Sequence, residues 1–320
     1  MSITAIGIEH YGGPPALHAV DLPEPHAGPG EVRVHVHAAG VNPVDAMMRT
    51  GLLSGSYEGV QPPFVPGMEV AGTVDELGPD VDASLDLAIG AQVVGFVDFH
   101  GAHGGYSQVV VLPAASVTRA PHGASSAQSA AFLNNALTAR NTLDVLGLPV
   151  GSTLLVTGAA GAVGGYVTEL AARDGLRVVA VASPADEDTV RGFGAALFVA
   201  RGEDLPARVR DLVPEGVDAV ADAAVLGAGA LPALRDGGQV GSLRGWAGPA
   251  PDRGIRVHEL NVRTRAHDDR AIRGLRDLAE KGALTYRVAD VLPARQAAAA
   301  HEALDHGGLR GRLVLDFTDY

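Results

Sequence analysis

The segment from Ser152 to Ser183, STLLVTGAAGAVGGYVTELAARDGLRVVAVAS, admits few folds. Thr153-Leu154-Leu155-Val156-Thr157 is an apolar run of strand length, and Gly158 to Gly165 is a turn with almost no side chains. Val167, Leu170 and Ala171 recur at helical spacing from Tyr166 to Arg173, Gly175 stops that helix, and Arg177 to Val181 reads as a second β-branched strand. Together they make one βαβ unit. So bare a turn lets the backbone approach a pyrophosphate, while the helix start offers unpaired N–H groups and a partial positive charge. The spacing Gly158-x-x-Gly161-x-x-Gly164 departs from the dinucleotide fingerprint G-x-G-x-x-G, because Ala159 stands at its first glycine.

The tip of the second strand carries the choice of cofactor. A carboxylate there bonds the ribose 2′-OH of NAD, whereas a hydroxyl or a cation suits the 2′-phosphate of NADP. This strand ends in Ala182-Ser183 without an acid, which favours NADP(H) over NAD(H). Asp186, Glu187 and Asp188 follow at once and read as the acidic first turn of the next helix.

A chain of 320 residues exceeds what one hydrophobic core usually organises, so two domains are expected. Hydrophobic residues make up 47% and aromatics only 4%, so the core is built from Ala, Val and Leu. No apolar run reaches the length of about eighteen residues that a membrane span needs, and no basic-then-apolar leader opens the chain. A soluble, cytoplasmic protein is expected. The net charge of −13, from 24 basic and 37 acidic residues, disfavours nucleic acid and anionic membranes as partners. Zero cysteines exclude disulfides, thiolate nucleophiles and zinc sites built with Cys. Of the twelve histidines, His35 and His37 share one strand face, and His100 and His103 sit in a glycine-rich loop. None has the spacing of a metal motif, and no metal is expected.

The flanking texture differs on the two sides. Residues 1–25 read as a hairpin around Gly12-Gly13-Pro14-Pro15. Val32 to Ala38 alternates with period two, Ala39 to Asp45 reads as a turn into a short helix, and further strands fall near Val70–Val74, Ala91–Asp98 and Tyr106–Leu112. Short strands broken by Gly and Pro suggest a compact β-barrel-like module. From Ser126 to Leu146 the chain is Ala- and Leu-rich with helical spacing. After the βαβ unit, helices and strands alternate to His258, with helices at Thr189–Phe193, Leu205–Leu212 and Gly229–Leu234, as in a doubly wound parallel sheet. The tail gives a helix at Asp269–Lys281, a strand at Arg287–Val291, a helix at Ala294–Leu304 and a strand at Arg312–Phe317. It is expected to return to the first domain.

Read in order, several motifs resemble the medium-chain dehydrogenase/reductase superfamily, and within it the zinc-independent quinone oxidoreductase, or zeta-crystallin-like, branch. They are Ala38-Ala39-Gly40-Val41-Asn42-Pro43-Val44-Asp45, Pro66-Gly67-Met68-Glu69-Val70-Ala71-Gly72-Thr73-Val74, Gly104-Gly105-Tyr106-Ser107-Gln108, Leu137-Thr138-Ala139, Gly158 to Gly164, Leu234-Arg235-Asp236-Gly237-Gly238 and Gly311-Arg312-Leu313-Val314-Leu315. The zinc-dependent members carry Cys where this chain has Asn42 and His where it has Met68. Without a Lewis acid, the expected acceptor is already electrophilic, such as a quinone or an α,β-unsaturated carbonyl.

The resemblance implies an α/β protein with a GroES-like β-barrel catalytic domain, residues 1–122 and 264–320, and a Rossmann NADP(H)-binding domain, residues 123–263. It implies cofactor contacts from Asn42, Thr138, Gly158, Gly161, Ala162, Val163, Gly164, Ser183, Ser242, Leu243 and Arg312. Asn42 and Asp45 form the polar pair at the reaction centre, unless Asn42 is only a turn cap before Pro43 and Asp45 only caps the helix that starts there. Tyr57, in the loop before Phe64, is the candidate proton donor for an enolate, with Tyr106 the weaker alternative and solvent a third source. Phe64 and Trp246 are candidate walls for an aromatic substrate or are core residues. A homodimer is expected through an exposed sheet edge near Gln239–Leu243 and Ile255–His258. Two other functions are compatible with these residues: an enoyl or enone reductase tailoring a polyketide-like metabolite, and a nucleotide-binding protein without turnover.

Overall fold

The computed structural model describes residues 2–246 and 248–320. It opens on a hairpin, β1 (Ser2–Gly7) against β2 (His18–Pro23), antiparallel throughout. The next strand, β3 (Glu31–Val41), starts with Val32, Val34 and Val36 buried while His35 stays exposed, the alternation of a strand with one wet face. From Ala38 every residue is buried. The turn expected from Ala39 therefore begins only after Val41, because a strand from the far end of the chain pairs with Ala38–Val41. Then come α1 (Pro43–Arg49), β4 (Glu69–Leu77), β5 (Gln92–Phe96), β6 (Val109–Pro113), β7 (Val117–Arg119) and α2 (Ser126–Ala130).

The helix expected to run from Ser126 to Leu146 is interrupted. A capping box between Ser125 and Gln128 starts α2, and the chain breaks at Ala131-Phe132 before α3 (Leu133–Leu146). The break gives α3 its own N-terminus, where the Glu69 carboxylate accepts the Asn134 N–H at 2.9 Å. By internal contacts the chain divides here, with one unit up to Asn134 plus Arg263–Tyr320 and a second from Asn135 to Val262.

The second unit continues with β8 (Thr153–Thr157), α4 (Ala162–Arg173), β9 (Arg177–Ala182), α5 (Glu187–Gly192), β10 (Leu197–Ala200), α6 (Leu205–Leu212), β11 (Val217–Asp222), β12 (Leu234–Ser242) and β13 (Arg256–Glu259). Its sheet has the order β10-β9-β8-β11-β12-β13 and is parallel at every pairing. Val179, Val181, Leu155, Val220 and Val240 from neighbouring strands form its core with Val209, Ala233 and Leu234. The expected helix at Gly229–Leu234 is a short 3-10 segment, Gly227–Ala233, carrying Pro232; Leu234 already belongs to β12.

The tail supplies α7 (Asp269–Glu280), β14 (Val288–Pro293), α8 (Ala297–His306) and β15 (Arg312–Asp316). It joins the first unit: β15 lies antiparallel to β3, and β14 lies parallel to β15. The sheet reads β14-β15-β3-β4-β5-β7. One edge of β3 is shared, by β6 along Glu31–His35 and by β15 along Ala38–Val41. No helix among the described residues is long and apolar enough to cross a membrane.

Candidate active site

In the second unit the expected cofactor residues gather at the carboxyl ends of parallel strands. Gly158 follows β8, Ser183 follows β9, and Ser242 ends β12 with Leu243 after it. That edge is where open α/β sheets bind ligands. Gly158 has φ +60°, a left-handed conformation that favours glycine. Gly161 caps α4, and the first helical bond within this turn runs from Gly165 N–H to Gly161 C=O. The N–H groups of Ala162, Val163 and Gly164 therefore lie in the open first turn. The helix starts four residues before the expected Tyr166 because Gly164 packs directly on the turn: a Cβ there would stand 2.2 Å from the Gly158 carbonyl oxygen. The cradle fits the pyrophosphate of a dinucleotide.

Ser183 is half-buried and leads a short 3-10 turn, and Glu187 and Asp188 do occupy the first turn of α5. One strand over, the Arg201 backbone N–H donates to the Ala182 carbonyl at 2.7 Å, so an exposed arginine neighbours the tip of β9 in the sheet. Sequence reasoning missed it, because only strand pairing shows which residue neighbours Ser183. Ser242 is buried and donates its hydroxyl to the Gly245 carbonyl. Thr138 lies half-buried one turn before Thr142, which packs on Gly241. Trp246 is half-buried, packs against the edge of this unit's core and donates its indole N–H to the Pro249 carbonyl.

In the first unit Asn42, Asp45 and Arg312 come together and bring residues the sequence did not single out. Asn42 caps α1; its amide donates to Glu69 Oε1 at 3.2 Å and accepts from Asn134 Nδ2 at 2.9 Å. Asp45 accepts the Asn42 N–H at 2.7 Å, the Gly67 N–H at 3.0 Å and the Tyr106 hydroxyl at 3.2 Å. Asp45 thus caps the helix it opens and also ties down the Gly67 loop. Burial pushes the Asp45 and Glu69 carboxyls up to about 7, opposed by these hydrogen bonds and by the Arg312 guanidinium. Arg312 is buried beside both carboxyls and donates to the Val41 carbonyl. It acts here as their counter-ion, and the expectation that it reaches a cofactor phosphate is corrected.

Tyr57 is also redirected. It is buried, donates its hydroxyl to the Phe99 carbonyl, and burial raises its pKa further. A phenol whose proton is held by a backbone acceptor is a poor donor to substrate. Phe64 is buried between Tyr11, stacked at 5.5 Å, and Tyr57, edge-on at 5.0 Å. Glu69 had a readable signal, a lone acid in the apolar run Met68-Glu69-Val70-Ala71.

Two family descriptions match the chain, an alcohol dehydrogenase GroES-like domain over residues 28–122 and a zinc-binding dehydrogenase over residues 193–315. The chain belongs to the medium-chain dehydrogenase/reductase superfamily. This superfamily member is 28% identical over 252 residues to a probable quinone oxidoreductase of Schizosaccharomyces pombe, covering 78% of this chain and 73% of that one. It is 38% identical over 166 residues to erythronolide synthase EryA2 of Saccharopolyspora erythraea, covering 52% of this chain and 4% of the synthase. Human synaptic vesicle membrane protein VAT-1 homolog-like is 31% identical over 220 residues, 68% of this chain; the chain spans about half the length, 50%, of that relative. A mycobacterial structure solved in complex with NADPH superposes with TM-score 0.83 at 28% identity, covering 98% and 99% of the two chains. These comparisons agree with a GroES-like domain followed by a Rossmann-type parallel sheet. Although one family description names zinc, this chain has Asn42 and Met68 at the ligand positions, and among the described residues no group of three or more His, Asp or Glu could hold a metal ion.

Proposed function

We propose that this chain is an NADPH-dependent oxidoreductase that passes hydride to a quinone or an α,β-unsaturated carbonyl. The observation that carries the reading is the β8–α4 turn, where Gly164 sits against Gly158 and leaves an open helix start for a pyrophosphate. Ser183 and Arg201 at the tip of β9, with no acid between them and the strand, favour a 2′-phosphate. The nicotinamide supplies the hydride. The chain's part is to hold the dinucleotide on the α4 turn and to keep the Asn42 turn rigid through Glu69, Asn134 and Asp45. Asn42, a buried polar side chain whose position is fixed by Glu69 and Asn134, is the residue best suited to orient the acceptor oxygen, and the proton that completes reduction comes from solvent. Reduction of a polyketide-like enone is a second reading, favoured by the likeness to a polyketide synthase segment.

The test is NADPH consumption with an ortho-quinone and a non-quinone enone side by side, with NADH as control. Turnover of either acceptor supports the reading and identifies its class. NADPH binding without turnover of either would make the chain a nucleotide-binding protein. Arg201→Ala is expected to raise KM for NADPH about tenfold, about 1.4 kcal/mol, while leaving KM for NADH in place. Equal effects on both would remove Arg201 from cofactor selection.

We also propose a homodimer through β13, an edge of the parallel sheet. Antiparallel pairing of Arg256-Val257-His258-Glu259 with its copy across a two-fold axis sets Arg256 opposite the partner's Glu259, an attractive pairing on both sides of the axis. Light scattering is expected to give twice the chain's 32.6 kDa, and Glu259→Arg to give monomer. A monomeric wild type would refute it.

A further inference from the structure

Tyr106 and His301 are fully buried, and neither has a part in the reading above. The Tyr106 hydroxyl stands 3.2 Å from Asp45 Oδ2 and 3.2 Å from His301 Nε2, with the two rings edge-on at 5.9 Å. The other ring nitrogen, His301 Nδ1, is buried without a hydrogen-bond partner. Behind the ring lie Arg49 and Asp305, paired at 2.6 Å.

Counting protons along this row fixes its direction. Burial and the Arg49 cation push the His301 pKa down to about 3, so the ring is neutral and carries one N–H. If that proton were on Nδ1, a buried donor would have no acceptor, and Nε2 would need to accept from Tyr106. Tyr106, with one proton, could then give nothing to Asp45, which would have to be protonated to complete the row. With the proton on Nε2, the unpartnered atom is only a lone pair. Nε2–H then donates to Tyr106, and Tyr106 donates to an ionised Asp45. The second arrangement leaves the less costly orphan.

We propose that Tyr106 and His301 are positioning residues: His301, holding its proton on Nε2, aims the Tyr106 hydroxyl at Asp45 and so keeps charged the carboxylate that fastens the Asn42 turn to Gly67. The other charged groups facing Asp45 are Arg312, which favours its charge, and Glu69, which opposes it when ionised; Tyr57 is a neutral phenol. The proposal rests on the oxidoreductase reading only for its kinetic readout.

Two measurements test it. In ¹⁵N-histidine NMR of the full chain, the resonances lost in His301→Gln are expected to report a neutral, Nε2-protonated ring at pH 8 to 9, where Asp45 is ionised. An Nδ1-protonated ring would overturn the proposal without reference to any variant's activity. In Tyr106→Phe, the rise of kcat/KM with pH that follows Asp45 ionisation is expected to move upward by about one unit. A merely structural tyrosine would lower the melting temperature and leave that limb in place, which would overturn it. If no acceptor is turned over, the oxidoreductase reading fails by itself, and the pH dependence of the melting temperature takes over. There the fall in stability on Asp45 ionisation is expected to move upward by the same amount, and an unmoved curve would overturn the proposal.

Discussion

Gly164→Ala is expected to weaken NADPH binding at least about a hundredfold, about 2.7 kcal/mol, and to destabilise the second unit by about 1–3 kcal/mol. The added Cβ would lie 2.2 Å from the Gly158 oxygen and 2.8 Å from its carbon, both backbone atoms that cannot rotate away. Either the start of α4 lifts off the turn or the turn opens, and each displaces the N–H groups that make the cradle. Gly192→Ala is the matched control. Gly192 closes α5, has a φ open to any residue and no atom within 4 Å of its Cβ position, so alanine there is expected to stabilise slightly. Calorimetric titration with NADPH and thermal melts of both variants check the pair. Wild-type affinity in Gly164→Ala would show that the turn holds no pyrophosphate.

The second large effect is on pH. Asp45 and Glu69 titrate near 7 in the folded chain, against ordinary values of 3.8 and 4.5. Between these limits the folded state binds more protons than the unfolded one, so stability falls as pH rises. The contribution of the two carboxyls is complete below about 4 and is lost as pH climbs through about 7. Most proteins lose stability on acidification because paired carboxylates must be protonated; this pair is expected to act in the opposite sense, raising the melting temperature from pH 8 to pH 6. Glu69→Gln is expected to flatten part of that slope, since it cannot ionise. A wild-type melting temperature that climbs from pH 6 to 8, with the same slope in Glu69→Gln, would show that neither buried carboxyl carries it.

How legible each part was depends on sequence distance. The βαβ unit could be read because its glycines, apolar run and strand lie side by side, and each local preference agrees with the fold. The Asn42 centre was visible only as Asn42 and Asp45. Glu69 is 27 residues from Asn42, and Asn134 is 92 residues from it. His301 is 195 residues from the tyrosine it touches. No period or spacing encodes such meetings; the sheet makes them. Tyr57 fails for a different reason. Its loop was located correctly, but the direction of a hydroxyl is decided by whichever carbonyl the fold brings up, here that of Phe99. Arg312 shows the same limit, because its placement beside two carboxyls depends on β15 crossing to β3.

That crossing also sets an order on biosynthesis. The stretch of β3 that leads into Asn42 finds its partner in Leu313–Asp316, and Arg312 reaches back 271 residues to Val41. A ribosome therefore delivers the whole second unit before it delivers the strand that closes the earlier one. Until then the edge of Ala38–Val41 is open, and two acidic side chains below it lack their cation. A nascent chain stalled inside residues 135–262 would hold an incomplete first unit, a natural client for a chaperone that recognises unpaired strands.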